Sequence, residues 1–364
     1  MPNKILINVG VLTNPGGVSA LYKALDLESK KLADYFQIFN STKEKNNISK
    51  FLRLIKKYVQ YFHLIKKYEY LLINPSLLPN SFYRDSFFTY LGLIRNKKII
   101  VFWHGWNEEF YNKLISSKLR QIIFKKTFSK ADAFVILGKI FEQKLFDLGV
   151  NPDKKMLVFF NSADNSHLIG KKLSRDISEK KEITLLFIAR FDKNKGMFKS
   201  VEIFKLVQKN FPEIKFKLIL AGDGPEYKKL NAHINQQKIK NIELTGFIGG
   251  AEKHKIFLRS DILLFPSHYG EGMPLSILEA MTYGLPIISS DVGGIPDLII
   301  DGENGFMIPK NSNNELNEYV KAIEIFIKHP DLYKTISLKN RNFAENNLTP
   351  ENAGRKLINF INSI

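Results

Sequence analysis

Residues 271–309 read EGMPLSILEAMTYGLPIISSDVGGIPDLIIDGENGFMIP, and this segment sets two carboxylates, Glu271 and Glu279, eight positions apart. Pro274 fits the first helical position, because its φ is fixed near the helical value and its missing N–H would have no helical partner there. The pattern therefore predicts a helix over 274–282. The free amides at its start would face a phosphate, and a carboxylate at each end would accept hydrogen bonds from sugar hydroxyls. This arrangement suits a nucleotide-sugar.

The same segment resembles the donor site of the retaining, GT-B-fold glycosyltransferases called group 1, or glycosyltransferase family 4. Their signature is a Glu, seven residues, a second Glu and then a Gly-Gly-x-Pro-Glu-like turn. Here that turn is 293–297, with Asp297 in place of the usual Glu, which keeps the carboxylate. The resemblance implies that Glu271 holds the donor-sugar hydroxyls and Glu279 the ribose. The residues expected around the phosphates are Gly272, Met273, Pro274 and Leu275.

Chain length and patterning predict two domains. A chain of 364 residues is long for one core, and short apolar runs alternate with amphipathic ones, as in parallel α/β sheets. We expect an α/β fold of two facing Rossmann-like domains (GT-B). The first covers 1–165 plus 347–364 and binds the acceptor, and the second covers 166–346 and binds the donor. The resemblance implies that the C-terminal helix crosses back to the N-terminal domain.

Charge and composition narrow the class of protein. The net charge is +18, and residues 1–170 carry 26 Lys and Arg against 13 Asp and Glu. This excess favours an anionic partner, either nucleic acid or membrane, although an AT-rich coding sequence that enriches lysine explains it equally well. The chain has no cysteine, which excludes a disulfide framework and a thiol nucleophile. Its N-terminus lacks the pattern of a signal peptide.

Two loops of the first half stand at predicted strand ends, where α/β proteins bind ligands. Gly16 and Gly17 follow the first strand and leave room for a phosphate or a sugar. His104 follows the strand 98–103, between Trp103 and Trp106, whose rings would stack on sugar faces. The resemblance implies that His104 contacts the donor sugar near the reacting carbon.

The second half offers two cations in one loop and two further loops that contain glycine. Arg190 and Lys195 keep the spacing of the family's Gly-Arg-x4-Lys-Gly pattern, with Ala in place of the first Gly, and would stabilise the departing diphosphate without a metal. Gly222 lies in a loop expected to shape the nucleotide pocket. The resemblance places base contacts at Gly246, Phe247 and Ile248.

These residues lead to one main hypothesis and two alternatives. The main hypothesis is a retaining, metal-independent glycosyltransferase that uses a UDP- or GDP-sugar and no cofactor, and acts on a glycan or lipid-linked acceptor of a bacterial surface glycan such as lipopolysaccharide. The alternatives are a GT-B nucleotide-sugar epimerase and, remotely, a basic nucleic-acid-binding protein, for which no binding module is recognisable. The expected location is the cytoplasm, peripheral to the inner face of the membrane.

The segment 50–67, KFLRLIKKYVQYFHLIKK, suggests that peripheral contact. It carries six cations and no acidic residue, and its apolar residues fall mostly at helical spacings. A basic helix with an aromatic face can lie in the headgroup region of an anionic membrane. The same apolar residues would equally cover the sheet of an ordinary Rossmann domain, so both interpretations stay open.

Overall fold

The computed structural model describes residues 5–13, 17–38, 47–163, 168, 173–268, 270 and 272–364, with the side chains of 47–50 left aside. The chain forms two compact units. The first comprises Met1–Ser162 together with Pro350–Ile364, and the second comprises Ala163–Thr349. Each unit is built on a six-stranded parallel sheet, as the alternation of apolar and amphipathic segments predicts.

The first unit has strand order β2-β1-β3-β5-β7-β8, and its two-residue strands β4 and β6 pair separately. The strands are β1 (Ile5–Val9), β2 (Asp34–Gln37), β3 (Tyr70–Ile73), β4 (Ser76–Leu77), β5 (Lys98–Phe102), β6 (Gly105–Trp106), β7 (Ala133–Ile136) and β8 (Lys155–Val158). The helices are α1 (Gly17–Leu25), α2 (Asn47–Leu64), α3 (Pro79–Ile94), α4 (Glu108–Ile115), α5 (Lys118–Lys126) and α6 (Ile140–Asp147).

The second unit has strand order β11-β10-β9-β12-β13-β14. Its strands are β9 (Glu182–Ile188), β10 (Lys215–Ala221), β11 (Ile242–Gly246), β12 (Ile262–Phe265), β13 (Ile287–Ser290) and β14 (Gly305–Ile308). Its helices are α7 (Met197–Asn210), α8 (Tyr227–Gln236), α9 (Gly250–Arg259), α10 (Leu275–Thr282), α11 (Glu315–Lys328) and α12 (Pro330–Asn347). Buried aliphatic and aromatic residues of β9, β10, α7 and α11 form the core of this unit.

The last helix, α13 (Pro350–Asn362), belongs to the first unit, which confirms that the chain crosses back at its end. Gly354 of α13 lies against α1, where an added Cβ would be 3.4 Å from Leu27 and 3.8 Å from Leu25. At the end of the chain, the Lys98 ammonium lies 3.3 Å from the carbonyl oxygen of Ile364. The return is therefore held by close apolar packing and by a hydrogen bond to the central sheet.

The predicted helices and strands differ from the observed ones in three places. The pattern of residues 110–128 predicts a single helix, but the structure splits it into α4 and α5, because Ser117 takes an extended conformation before α5. The pattern of residues 295–300 predicts a further helix, but the structure has one 3-10 turn there, Ile295–Asp297. The edge strands β2 and β14 were not predicted, because short edge strands carry a weak apolar pattern.

Candidate functional site

The sheet of the second unit reverses its winding at β9. From β9 the chain builds outward through β10 to β11, and it then returns to β12 on the other side of β9. Ligands of open α/β sheets bind outside the carboxyl ends of the strands at such a reversal. The loops that follow β9 and β12 flank this point, and they are joined where His268 N–H donates to the Asn194 carbonyl at 2.8 Å.

The loop after β9 carries the two predicted cations. Arg190 is largely exposed, with 69% of its side chain accessible, and its Nε lies 3.1 Å from Asp192 Oδ2. Lys195 is half-buried. The loop ends at Gly196, which has φ 99° and caps α7, and a Cβ there would lie 2.3 Å from the Pro266 carbonyl oxygen. Only glycine fits at this position, because a side chain would collide with the loop after β12. The loop after β9 is therefore packed closely against the loop after β12.

The loops after β9, β10 and β11 form one hydrogen-bonded layer. Phe191 N–H donates to the Asp223 carbonyl, and Gly222 N–H donates to the Gly246 carbonyl, both at 2.9 Å. Gly222 has φ 152°, and a Cβ there would lie only 1.9 Å from the Ala189 carbonyl oxygen. The predicted residues of these loops therefore share one edge of the sheet.

Beyond this layer, two residues of the β11 loop differ in exposure. Phe247 is 84% exposed, whereas Ile248 is half-buried. An exposed ring at a strand's carboxyl end offers a flat apolar surface to a ligand.

The helix α10 begins one residue later than predicted. Pro274 has φ −64° and ψ 121°, so it is the extended N-cap rather than the first helical residue. Leu275 is the first helical residue, and its amide has no carbonyl four residues earlier within the helix. Met273 is buried, and the Gly272 carbonyl accepts a 2.9 Å hydrogen bond from Gly294 N–H. The Gly-Gly turn after β13 thus supports the loop before α10.

The two carboxylates of the motif differ in what the structure describes. Glu279 is half-buried in α10, and one of its oxygens lies 2.5 Å from the Lys253 ammonium of α9. Glu271 and Gly16 lie outside the described residues, so their expected roles stay predictions. The adjoining Gly17 is the first residue of α1, with no atom within 4 Å of the position its Cβ would take.

In the first unit, His104 is held by a network of hydrogen bonds. Its Nε2 lies 2.6 Å from Asn74 Oδ1, which also accepts from the Tyr22 hydroxyl at 2.7 Å. Asn74 Nδ2 donates to the Asn8 carbonyl at 2.8 Å. Because that carbonyl can only accept, the Asn74 amide nitrogen must face it, and Oδ1 must face the imidazole. His104 therefore donates through Nε2.

Burial lowers the pKa of His104 to about 3, because the charged imidazolium loses its hydration. The residue as a whole is half-buried. At neutral pH the ring is uncharged, and with Nε2 protonated its Nδ1 is an acceptor. His104 can thus accept a hydrogen bond from a ligand hydroxyl.

The shifted pKa leads to a prediction about acid stability. The folded pKa of about 3 lies below the ordinary value near 6.5, so folding favours the neutral ring. Stability is fully present above pH 6.5 and is lost as the pH falls toward 3. In His104→Gln the side-chain amide can still donate to Asn74 but cannot titrate. We expect the urea midpoint of this variant to fall less than that of the wild type between pH 7 and pH 4. Parallel curves would contradict the shifted pKa.

The prediction that the two tryptophans stack on a sugar is wrong. Trp103 is 2% exposed and packs on Phe124 and Phe128. Trp106 is 6% exposed, with its ring 5.1 Å from that of Phe141. Their position after a strand end suggested exposure, but α4, α5 and α6 cover both rings. Of this segment, His104 alone remains a candidate for ligand contact.

A buried ionic cluster in the second unit was missed by sequence reasoning. Glu315 of α11 is 9% exposed, and its carboxylate lies 2.6 Å from the Lys199 ammonium and 2.9 Å from His268 Nε2. The cluster borders a cavity of about 260 Å³ that is also lined by Lys193 and Gly196. It ties the loop after β12 to α7 and α11. No spacing rule links these positions, which are brought together only by the fold.

Two features are absent from the described residues, a metal-binding cluster and a membrane-spanning helix. No group of three or more His, Cys, Asp or Glu residues is arranged to hold a metal ion. In the same part of the chain, no helix has the length and apolar character needed to cross a bilayer.

Comparisons with known proteins agree with this geometry. Residues 171–343 match the family model described as glycosyl transferases group 1. An uncharacterised glycosyltransferase of Methanocaldococcus jannaschii is 29% identical over 72% of this chain and 70% of its own length. The putative colanic acid biosynthesis glycosyltransferase WcaL of Salmonella typhimurium is 24% identical over 62% of this chain. The chain spans just over half of WcaL, 55% of its length.

A solved structure matches the whole chain. HepE of Anabaena, crystallised with UDP and glucose, aligns over 100% of both chains with a TM-score of 0.70 and 14% identity. An identity this low reports on the fold alone. Neither the family model nor the relatives named above are described as epimerases, which leaves that alternative without support. The chain therefore has the GT-B fold, and residues 171–343 match the model of the group 1 glycosyl transferases.

Proposed function

We propose that this protein is a retaining glycosyltransferase of glycosyltransferase family 4, which moves a sugar from a nucleotide-diphosphate sugar to an acceptor hydroxyl. The observation that carries the proposal is the pairing of loops at the reversal between β9 and β12. The Arg190–Lys195 loop and the loop leading into α10 meet there, joined through Asn194 and His268, within the segment that matches the group 1 model.

The chemistry follows from the charges at that edge. As the sugar leaves, negative charge builds on the diphosphate, and Arg190 and Lys195 stabilise it together with the amides at the start of α10. Arg190 is paired with Asp192 only at an exposed site, where an ion pair contributes about 0–1 kcal/mol, so its guanidinium can turn to a phosphate at little cost. Glu271 holds the hydroxyls of the donor sugar. For His104, the family resemblance assigns a contact near the reacting carbon.

The nucleotide and the acceptor are proposed from the relatives. HepE is described with UDP and glucose, which supports a UDP-sugar ahead of a GDP-sugar. WcaL is described as acting in colanic acid biosynthesis, which supports a glycan or lipid-linked precursor of a bacterial surface polysaccharide as acceptor. The reaction would take place in the cytoplasm, where nucleotide-sugars are made. No organic cofactor is required.

The test is incubation with a panel of UDP- and GDP-sugars, with mass spectrometry of the products and thermal melting of each mixture. Transfer releases a nucleoside diphosphate and adds one sugar mass to the acceptor or to water. The correct donor should also raise the melting temperature by mass action. Interconversion of nucleotide-sugars without nucleotide release would refute transfer.

Transfer should not depend on a divalent cation. Because Arg190 and Lys195 supply the positive charge at the diphosphate, we expect activity in excess EDTA to stay within about twofold of the untreated enzyme. The measurement is nucleotide release with and without chelator. Activity that disappears with EDTA and returns with Mn²⁺ would contradict the metal-independent mechanism.

Glu279→Ala should mainly weaken nucleotide binding. Losing a charge-assisted hydrogen-bond pair to the ribose costs about 1.5–3 kcal/mol, or roughly 10- to 150-fold in Kd. Calorimetric titration with UDP measures it. The matched control is Lys253→Ala, which removes the partner of Glu279 but leaves the carboxylate. We expect this control to change Kd much less. An unchanged Kd in Glu279→Ala would show that the ribose binds elsewhere.

A further inference from the structure

The outer stripe of α3 is apolar where a solvent-facing helix is usually polar. Tyr83, Phe87, Tyr90 and Ile94 follow one another at spacings of four, three and four, and they are 44%, 42%, 46% and 51% exposed. The opposite side of α3 is buried on the sheet through residues such as Phe82 and Phe88. The helix therefore has apolar residues on both its inner and outer faces, and core packing accounts only for the inner one.

The helices on either side of α3 continue this apolar surface. On one side, Tyr58 of α2 packs on Phe87 with ring centroids 4.4 Å apart. On the other, Arg120 of α5 donates to the Tyr83 hydroxyl at 3.2 Å. The exposed apolar residues that flank the stripe are Phe51, Leu52, Ile55 and Val59 of α2 and Leu119 and Ile122 of α5. We call this surface the α2–α3–α5 face.

Exposed apolar residues are concentrated here. Ten of the eighteen large apolar side chains that are exposed in the described part of the chain lie in α2, α3 and α5. Single exposed apolar residues are ordinary on protein surfaces, but a continuous patch marks an interaction site.

The charge of the face identifies its partner. Helices α2, α3 and α5, with the 3-10 turn Ile65–Lys67 that follows α2, contain eleven Lys and Arg residues and one carboxylate, Asp85. Asp85 is 1% exposed and paired with Arg84, so it offers nothing to a partner. Two copies of this face would bring like charges together, which opposes self-association. A partner with a negatively charged surface and an apolar interior would be complementary to the α2–α3–α5 face.

We propose that the α2–α3–α5 face docks on an anionic lipid bilayer. Its aromatic and aliphatic side chains enter the region between headgroups and acyl chains, while exposed cations such as Lys56 and Lys118 contact lipid phosphates. The sequence pattern at 50–67 suggests membrane contact by one helix. The exposed residues of α3 and α5 extend the contact surface to three helices. The proposal does not depend on the donor chemistry, since every residue of the face lies in the first unit.

The test is co-sedimentation of the full chain with two kinds of vesicle, phosphatidylcholine alone and an equal mixture with phosphatidylglycerol. We expect the protein to pellet with the mixed vesicles only, and to be released as salt rises. Two variants separate the contribution of charge from that of the apolar side chains. Lys56→Glu with Lys118→Glu reverses exposed charges, and Leu52→Gln with Tyr90→Gln and Ile94→Gln removes exposed apolar groups. Each should weaken partitioning at least about tenfold.

The substitutions avoid groups that support the fold. Lys57 is left unchanged because it donates to the Gln37 carbonyl, and Phe87 because it packs on Tyr58. Matched controls in the second unit are Lys209→Glu with Lys228→Glu, and Leu338→Gln, all at exposed positions. Melting temperatures of all variants should stay close to the wild type.

Three results would overturn the proposal. The first is wild-type protein that stays in the supernatant with both kinds of vesicle. The second is a loss of binding in the controls as large as in the variants. The third is a wild-type dimer by light scattering that becomes monomeric in the Leu52, Tyr90 and Ile94 variant, which would assign the face to a second copy of the chain.

Discussion

Lys195→Ala should lower kcat by about 100-fold or more, which corresponds to losing roughly 2.7 kcal/mol of transition-state stabilisation. Lys195 is half-buried in a loop whose backbone lies close against Pro266 at Gly196, so the backbone that carries its charge is preorganised. A preorganised charge acts most strongly on the charge that develops during the reaction, so kcat should fall more than KM rises. Arg190→Ala should have a similar effect.

The matched control is Lys193→Ala, an exposed lysine in the same loop that the Arg-x4-Lys spacing does not include. Its kcat should remain within about threefold of the wild type, well below the loss that electrostatic stabilisers produce. Initial rates of nucleotide release over a range of donor concentrations provide both constants. An equal loss of kcat in Lys193→Ala and Lys195→Ala would show that kcat depends on the overall charge of the loop and not on Lys195 in particular. An unchanged kcat in both Lys195→Ala and Arg190→Ala would remove these residues from the mechanism.

Gly222→Ala should destabilise the second unit by about 3 kcal/mol or more, because backbone strain and overpacking each cost about 1–3 kcal/mol. The new Cβ would lie 1.9 Å from the Ala189 carbonyl oxygen, so the ends of β9 and β10 would have to separate. For a unit of this size, that loss lowers the melting temperature by about 6–12 °C. Donor affinity should fall as well, since the same displacement moves the loop that carries Arg190.

Gly302→Ala is the control that separates strain from collision. Gly302 has φ 73° and no atom within 4 Å of the position its Cβ would take. The variant should therefore lose only about 1–2 kcal/mol of stability, which is what a left-handed backbone conformation costs a residue with a side chain. Calorimetry of both variants, with a donor titration, distinguishes the two terms. Similar melting temperatures for the two variants would mean that the β9 and β10 loops can adjust, and that the contact at Gly222 does not limit the site.

Long-range pattern made the fold predictable from the sequence. Strands buried on both faces, such as β9 and β12, are continuous apolar runs, and the helices between them are long enough to show their period. Where the pattern was short, prediction failed. The two serines that end α4 and start α5, and the four-residue edge strands, are decided by local packing rather than by periodicity.

In the candidate site, too, some residues could be predicted from local sequence and others could not. Arg190, Lys195 and Glu279 could be named from spacing, since each stands at a fixed offset from a strand or helix end. Partners from distant segments could not be. Asn74 is followed by a proline, a pattern that predicts only a turn, yet Asn74 fixes the proton of His104 on Nε2.

By itself, the sequence determined the two α/β units and named the candidate loops and the candidate donor-site motif, because these depend on residue type and spacing along the chain. The tertiary structure alone decided which side chains are buried and which are paired. It covered Trp103 and Trp106, joined Glu315 to Lys199 and His268, and left the outer stripe of α3 bare. Burial and pairing depend on contacts between segments far apart in the chain, and no local pattern encodes them.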